Sequence, residues 1–257
     1  MELRDKVVVV TGGASGLGEA TARVFGSADA QVAIFDLDQD RGERIAAEIG
    51  PESAMFCRVD VADGAGVSAA LDLVMSRHDA VHVCINCAGL PDPCKILDRE
   101  GNAQPMENFE RVIRVNLIGS YNVMSKCAAL MSRNAPEDGE ERGVIINTSS
   151  GAAFEGQIGQ SAYAASKNGV IGLNLPGARE LARHGIRVNA IAPGLFATPM
   201  AISLGEKVVA ALTERIEGPK RLGRPEEFAH CCRFLVENAY INGETIRLDA
   251  ATRLTAR

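Results

Sequence analysis

The sequence lacks several features that mark specialised classes of protein. Basic residues do not predominate, since 27 Lys and Arg stand against 33 Asp and Glu and give a formal net charge of −6. This balance argues against a general nucleic-acid binder and against a protein of anionic membrane surfaces. No apolar run approaches the length of about eighteen residues that marks a membrane-spanning helix. We therefore expect neither a nucleic-acid partner nor a membrane partner.

The amino terminus shows no pattern of a targeting segment. It enters a strand-like run almost at once, in MELRDKVVVVTGG, without a long apolar segment or an Arg- and Ser-rich transit peptide. The seven cysteines are an odd number in mostly apolar surroundings, which fits a reducing compartment better than a disulfide framework. We therefore expect a cytoplasmic protein.

Histidines are scarce and the cysteines do not group, so no metal site is expected. The four histidines show no ligand spacing. Cys84 and Cys87 form a C-x-x-C, but no second cysteine pair or histidine cluster completes a zinc site. We interpret Cys84 as a strand residue. Because residues three apart in a strand point to opposite faces, Cys84 and Cys87 are not expected to act as a pair. The vicinal Cys231 and Cys232 fit the buried side of a helix.

What the chain does have is a regular alternation of short β-branched runs with helical stretches. This alternation predicts right-handed βαβ crossovers and an α/β fold: one doubly wound Rossmann-type domain over residues 1–257, with a seven-stranded parallel sheet and helices on both faces. Pro176 falls inside an expected helix and is expected to kink it. The expected strands are 6–11, 31–36, 53–60, 80–86, 143–149, 186–193 and 244–249; the expected helices are 16–28, 39–49, 64–77, 107–131, 161–183, 205–215 and 225–236; and the expected surface loops are 91–105, 134–142 and 216–225.

The first expected strand leads into a glycine-rich turn, TGGASGLGEA, just before a helix. Gly12, Gly16 and Gly18 permit a tight turn and a close backbone approach, and the helix N-terminus offers free N–H groups to a pyrophosphate. Asp36 ends the second expected strand, where a carboxylate can accept hydrogen bonds from both hydroxyls of an adenosine ribose. Because a 2′-phosphate would meet like charge at Asp36, we expect NAD rather than NADP.

Tyrosine is rare, with three in the chain, and the position of one of them suggests chemistry. Tyr163 lies four residues before Lys167 and thirteen after Ser150, so the phenol and the ammonium would share a helix face. An ammonium and a nicotinamide's positive charge favour the phenolate, so we expect a pKa of Tyr163 well below its usual value of about 10. Ser150 would hold a substrate oxygen against the phenol. An isolated Y-x-x-x-K is more simply a solvated surface pair; the glycine turn and Asp36 favour proton transfer coupled to hydride transfer.

Six motifs, TGGASGLG, NCAG, VNLIGSYN, NTSS, YAASK and IAPGLFATP, resemble those of the short-chain dehydrogenase/reductase family over essentially the entire chain. Longer stretches, among them GVIINTSSGAAFEGQIGQSAYAASK and RLGRPEEFAH, resemble the branch of NAD-dependent 3-hydroxyacyl-CoA dehydrogenases related to 17β-hydroxysteroid dehydrogenase type 10. The resemblance implies a catalytic tetrad of Asn116, Ser150, Tyr163 and Lys167. In it, Asn116 would fix a water that links Lys167 to solvent, and Lys167 would also bind the nicotinamide ribose.

The expected cofactor site collects residues from several strand ends. Asp60 and the turn 86–89 would flank the adenine side of the sheet edge. The resemblance implies that Pro193, Gly194 and Thr198 hold the nicotinamide and its carboxamide. The full set expected to bind NAD is Gly12, Ser15, Gly16, Leu17, Gly18, Asp36, Asp60, Val61, Asn86, Ala88, Gly89, Tyr163, Lys167, Pro193, Gly194, Phe196 and Thr198.

The segment 195–215 is rich in Leu, Met, Ile, Val and Phe. It would form a mobile substrate flap, reaching to about residue 220, against an apolar acyl chain or ring. A helix that only packs on the core is the alternative. The resemblance implies that the substrate is an (S)-3-hydroxyacyl-CoA in fatty-acid or branched-chain degradation. The alternatives are a hydroxysteroid or another apolar alcohol, and a non-catalytic NAD-binding regulatory protein.

Two further expectations concern the partners of the chain. Basic side chains on loops could meet the phosphates of coenzyme A, although such residues are usually only solvated. The resemblance also implies a homotetramer through the helices 107–131 and 161–183 and the last strand. The basic candidates are Lys95, Arg99, Lys220 and Arg221.

Overall fold

A seven-stranded parallel sheet is the centre of the computed structural model, which describes residues 1–137, 140–202 and 205–256. The strands lie in the order β3-β2-β1-β4-β5-β6-β7. The winding reverses between β1 and β4, and open α/β sheets bind their ligands outside the strand ends at such a point. The expected doubly wound fold is therefore confirmed. The strands are β1 (Val7–Thr11), β2 (Gln31–Asp36), β3 (Ala54–Arg58), β4 (Val83–Asn86), β5 (Gly143–Thr148), β6 (Ile186–Pro193) and β7 (Thr245–Leu248).

Helices follow most of the strands and cover both faces of the sheet. No helix within the described ranges is long and apolar enough to cross a membrane. The helices are α1 (Gly16–Gly26), α2 (Gln39–Ile49), α3 (Gly64–His78), α4 (Met106–Ile113), α5 (Ser120–Met131), α6 (Ser161–Leu181), α7 (Pro199–Ile202), α8 (Glu206–Glu214) and α9 (Pro225–Glu237).

The side chains of β1 alternate between two apolar cores. Val8 belongs to the core that includes Phe25 of α1 and Phe228 of α9, all fully buried. Val9 belongs to the core on the other face, with Met131 of α5. Because both faces are covered, β1 is a continuous apolar run rather than an alternating one. The sheet is thus held from both sides, and its carboxyl edge is left to carry polar side chains.

The expected helix 107–131 is interrupted by a π-helical turn. This turn, Arg114–Gly119, lies between α4 and α5 and contains Asn116. A π turn fits an extra residue into the helix and occurs frequently at functional sites. The hydroxyl of Ser120, the first residue of α5, donates to the Asn116 carbonyl at 2.7 Å. The apolar periodicity of the segment does not reveal this change in winding.

Two other sequence expectations are refined by the structure. Helix α6 continues past Pro176 and ends at Leu181. The loop 91–105 is attached to the segment before α6, since the Cys94 N–H donates to the Gly159 carbonyl at 2.7 Å. Residues 138 and 139 of the loop 134–142, and residues 203 and 204 of the expected flap, lie outside the described residues.

Candidate active site

The glycine turn after β1 leaves no room for a side chain at Gly12 or Gly18. Gly12 and Gly16 have φ angles of +65° and +54°, a region that side chains disfavour. A Cβ built on Gly12 would lie 2.8 Å from the Ala88 nitrogen, and one on Gly18 would lie 2.2 Å from the Gly12 carbonyl oxygen. The exposed Ser15 then precedes α1 with no side-chain cap on the helix, and half-buried Leu17 follows. This open helix N-terminus above a tight backbone turn fits a pyrophosphate.

Asp36, at the end of β2, lies at the edge of the glycine turn. It accepts hydrogen bonds from the backbone N–H groups of Ala14, at 3.0 Å, and Asp38, at 3.1 Å. Arg41, which the sequence interpretation missed, also reaches this turn: its Nε donates to the Ala14 carbonyl at 3.0 Å. Its guanidinium is paired with Glu19 at 3.1 Å. Arg41 lies in the first turn of α2, the helix that follows Asp36, and this position in the sequence is the signal that could have found it.

The expected residues after β3 and β4 differ in how far they are exposed. Asp60 is exposed at the sheet edge and accepts from the Ala62 N–H at 2.9 Å. Val61 is buried, and its carbonyl accepts from the Asn122 side chain at 2.7 Å. The Ala88 N–H donates to the Thr11 hydroxyl at 3.1 Å, which ties the turn after β4 to the end of β1.

Asn86 turns inwards instead of toward the sheet edge. Its buried amide donates to the Asn147 side chain at 2.9 Å and to the Ser120 carbonyl at 3.3 Å. It therefore braces β4 against β5 and α5, and its effect on a cofactor would pass through the backbone of the turn that follows it.

The segment after β6 approaches the glycine turn from the other side. A Cβ on Gly16 would lie 3.3 Å from the Thr198 methyl carbon. Gly194, the residue after Pro193, lies close to β7, since its N–H donates to the Leu248 carbonyl at 2.9 Å. The Phe196 ring instead packs edge-on against Phe228, with 6.4 Å between the centroids. Thr198 therefore faces the expected cofactor site, whereas the Phe196 side chain belongs to the core.

Ser150, Tyr163 and Lys167 lie together at the start of α6. The Ser150 hydroxyl is hydrogen-bonded to the Tyr163 phenol. The buried Lys167 ammonium lies 5.8 Å from the centroid of the Tyr163 ring and donates to the Thr148 carbonyl at 2.8 Å. The Thr148 carbonyl at the end of β5 thus holds the ammonium, and the Tyr163 residue as a whole is half-buried. The arrangement can give or take a proton at a substrate oxygen.

Asn116 joins this cluster through its neighbours. Its side chain accepts from the Leu90 N–H at 2.9 Å and donates to the Leu90 carbonyl and to the Ser166 hydroxyl, both at 3.0 Å. A Cβ on the intervening Gly89 would lie 3.1 Å from the Asn116 Oδ1 and 3.4 Å from the Lys167 Nζ. The side chain of Asn116 is therefore committed to holding the turn after β4 against α6.

Burial shapes the protonation of the cluster. Desolvation raises the pKa of Tyr163, and the hydrogen bond from Ser150 opposes this only in part. Desolvation lowers the pKa of Lys167 to about 8. The expected lowering of the Tyr163 pKa is thus wrong for the protein by itself. The physical reason is that the ammonium is turned toward Thr148, so burial of the phenol outweighs its attraction.

Cys87 borders the cluster, whereas Cys84 does not. The Thr148 hydroxyl donates to the Cys87 sulfur at 3.6 Å, and burial raises the pKa of that thiol to about 11. Cys84 is fully buried and hydrogen-bonded to Cys127. Within the described part of the chain, no three His, Cys, Asp or Glu side chains are grouped to hold a metal ion.

The four basic candidates for a coenzyme A site separate in the structure. Arg221 is bound through both terminal nitrogens to Glu227, at 2.8 and 2.6 Å, and Lys220 donates to the Glu214 carbonyl at 3.3 Å. Lys95 instead lines a cavity of about 560 Å³ with Gln160 and others at the start of α6. Arg99 is exposed. Of the four candidates, Lys95 is the one that lines a cavity with the segment just before α6.

Comparisons with known proteins agree with this geometry. A family model described as short chain dehydrogenase matches residues 6–208. The 3-hydroxyacyl-CoA dehydrogenase type-2 of Bos taurus is 47% identical over 249 residues, which cover 96% of this chain and 95% of that protein. Momilactone A synthase of Oryza sativa subsp. japonica is 33% identical, over 96% of this chain and 90% of that protein.

A solved structure extends the match to three dimensions. The crystal structure of 3-hydroxyacyl-CoA dehydrogenase type-2 from Mycobacterium avium superposes with a TM-score of 0.93 and 41% identity, covering 98% of this chain and 97% of that one. Sequence and fold therefore match over nearly the whole length. The chain belongs to the short-chain dehydrogenase family.

Proposed function

We propose that the protein is an NAD-dependent dehydrogenase that interconverts (S)-3-hydroxyacyl-CoA and 3-ketoacyl-CoA, in one catalytic domain over residues 1–257. Its family is one of nicotinamide-dependent oxidoreductases. The observation that carries the proposal is the contact of Ser150 with Tyr163 beside the buried Lys167. Relatives named 3-hydroxyacyl-CoA dehydrogenase type-2 at 47% identity support the acyl-CoA class.

Each residue of the proposed catalytic set has a distinct task. The bound nicotinamide would supply or accept the hydride. Tyr163 gives its phenolic proton to the ketone oxygen in reduction and takes it back in alcohol oxidation. Ser150 hydrogen-bonds the same oxygen and holds it against the phenol. Lys167 carries positive charge beside the phenolate that forms, and Asn116 keeps the turn after β4 against Lys167.

NADH-dependent reduction of acetoacetyl-CoA tests this proposal, followed by NADH absorbance with NADPH as the parallel cofactor. Rapid turnover selective for NADH supports it. Binding of NADH without turnover of acetoacetyl-CoA would contradict the acyl-CoA class; turnover of apolar ketones in the same assay would then indicate another secondary alcohol as substrate.

Cofactor choice is proposed to depend on Asp36. Asp36→Asn keeps one of the two oxygens that accept from the Ala14 and Asp38 N–H groups and removes the charge that a 2′-phosphate would meet. The ratio of kcat/KM for NADPH to that for NADH should therefore rise roughly tenfold to a hundredfold. Asp38→Asn is the matched control, since that side chain caps α2 through the Arg41 N–H at 3.1 Å. An unchanged ratio in Asp36→Asn would exclude this role of the carboxylate.

The pH dependence of the two directions should be opposite. Because burial raises the pKa of Tyr163 and lowers that of Lys167 to about 8, the phenol is protonated and the ammonium charged below that pH. Reduction consumes the phenolic proton. Its kcat/KM should be constant up to about pH 8 and should fall above it, because neutral Lys167 no longer stabilises the phenolate left behind. Oxidation needs the phenolate and should rise with pH. Profiles of kcat/KM in both directions measure this; an oxidation rate that falls with pH contradicts it.

We further propose a homotetramer in the cytoplasm. All seven cysteines are free. Several large apolar side chains on α4, the π turn and α5 are exposed, among them Met106, Ile118 and Tyr121 at 59%, 52% and 53%. Large apolar side chains exposed on these neighbouring helical segments support burial between subunits. Light scattering after size-exclusion chromatography should give four times the mass of the chain, and a monomeric mass would contradict the assembly.

A further inference from the structure

An ion-pair cluster outside the proposed catalytic set joins β7 to the turn that follows Ser150. The guanidinium of Arg247 holds Glu155 with two hydrogen bonds, at 2.5 and 2.9 Å. Its Nε donates to Asp249 at 2.7 Å. Paired, charge-assisted hydrogen bonds of this kind fix direction as well as distance. The cluster is largely shielded, with side-chain exposures of 22% for Arg247 and 23% for Glu155.

The same guanidinium also contacts Phe154, the residue before Glu155. It lies 4.8 Å from the centroid of the Phe154 ring, within the range of a cation–π contact. Arg247, on β7, therefore contacts two consecutive residues, Phe154 and Glu155. The hydrogen bonds from Arg247 help to hold the pKa of Glu155 below its usual value, so the carboxylate is charged at neutral pH.

Ser150 and Glu155 belong to one short, internally bonded segment. The Ala152 N–H donates to the Ser150 hydroxyl oxygen at 3.2 Å, at the start of the 3-10 turn Gly151–Ala153. The N–H groups of Phe154 and Glu155 both donate to the Gly151 carbonyl, at 3.0 and 3.1 Å. Short hydrogen bonds therefore connect Glu155 to the segment of Ser150, the serine that touches the Tyr163 phenol.

We propose that Arg247 is a positioning residue for the dehydrogenase reaction, which holds the Ser150 hydroxyl against Tyr163 through Phe154 and Glu155. The inference rests on the proposed function. Its physical basis is that a hydroxyl must be held within a fraction of an ångström to orient a reacting oxygen, and that remote residues can supply this precision. Asp249, whose side chain is only 7% exposed, fixes the guanidinium in turn.

A double-mutant cycle with Ser150 tests the inference in the full-length enzyme with acetoacetyl-CoA and NADH. Arg247→Met should lower kcat by roughly tenfold to a hundredfold with little change in the KM for NADH. Arg247→Lys should recover only part of this loss, because an ammonium cannot form the paired contact. In a Ser150→Ala enzyme, Arg247→Met should cause no further loss, since its effect passes through that hydroxyl.

Arg253→Met is the matched control. Arg253 is 57% exposed and pairs with Asp249 at 3.0 Å and more distantly with Glu155 at 3.8 Å. The two short hydrogen bonds to Glu155 and the contact with the Phe154 ring belong to Arg247. We expect kcat close to that of the unmodified enzyme. Losses from Arg247→Met and Ser150→Ala that multiply, or an Arg247→Met enzyme with unchanged kcat, would overturn the inference.

Hydrogen exchange separates the failure of this inference from the failure of the proposed function. In the peptide covering residues 150–160, exchange should be faster in Arg247→Met and in Arg247→Lys than in Arg253→Met, whatever the substrate. If the unmodified enzyme does not reduce acetoacetyl-CoA, the proposed function fails, and unchanged exchange would overturn the positioning role independently. Faster exchange would then support the positioning role, and the double-mutant cycle is repeated with the ketone that the enzyme does reduce.

Discussion

Tyr163→Phe is expected to lower kcat for ketone reduction by about 10²- to 10⁴-fold, the usual contribution of a positioned acid or base. The ring remains to fill its half-buried place at the start of α6, so the fold and the affinity for NADH should be unchanged. Only the group that moves the proton at the substrate oxygen is lost. Steady-state kinetics with acetoacetyl-CoA, beside fluorescence titration of NADH binding, measure the two effects separately.

The chain offers a matched control for this variant in its other tyrosines. Tyr240 is 100% exposed, so Tyr240→Phe removes the same hydroxyl group at a solvent-exposed position, without changing the cluster around Tyr163. Its kcat should equal that of the unmodified protein. Substantial turnover in Tyr163→Phe would mean that another group moves the proton. Weak NADH binding in that variant would mean that the Tyr163 hydroxyl itself binds the cofactor, which contradicts the expected unchanged affinity.

Arg187→Met is expected to lower the free energy of unfolding by about 3–5 kcal/mol, since it breaks a buried, hydrogen-bonded ion pair. The guanidinium donates to Glu141 at 2.7 Å. It also donates to three carbonyl groups at the end of α9 and in the segment after it, those of Leu235, Val236 and Ile241, at 2.7, 2.8 and 2.9 Å. The Ile241 carbonyl keeps a second donor, the Asn189 side-chain amide at 2.9 Å, whereas the Leu235 and Val236 carbonyls lose the guanidinium. Each buried acceptor left without a partner costs about 1–3 kcal/mol.

Urea unfolding followed by circular dichroism measures this effect. Glu141 also accepts from the Met1 ammonium at 3.0 Å, so the carboxylate keeps one partner and the cost falls mainly on the carbonyls. Arg233→Met is the control: its ion pair with Glu237 is about half exposed, at 46% and 41%, and should contribute no more than about 0.5 kcal/mol. Equal destabilisation by the two variants would show that the buried network contributes nothing beyond a surface ion pair.

Local patterns made much of this protein predictable from its sequence. Short apolar runs that alternate with segments of helical periodicity indicate a parallel sheet, because the strand period and the helix period both arise from backbone geometry. The glycine turn before α1 and the i, i+4 spacing of Tyr163 and Lys167 are equally local, so both features could be named before any contact was known. Asn116 was different: it came from resemblance alone, since an asparagine within a helix carries no chemical signal.

Tertiary structure decided what depends on residues distant in sequence. The direction of the Tyr163 pKa follows from burial and from the turn of Lys167 toward Thr148, neither of which spacing contains. Arg221 is a free cation in the sequence but is held by Glu227 in the fold. Arg247 and Glu155 are 92 positions apart, and only the pairing of β7 beside β6 brings them together. Patterns along the chain report backbone winding and burial, whereas charge, desolvation and hydrogen-bond partners are properties of the folded neighbourhood.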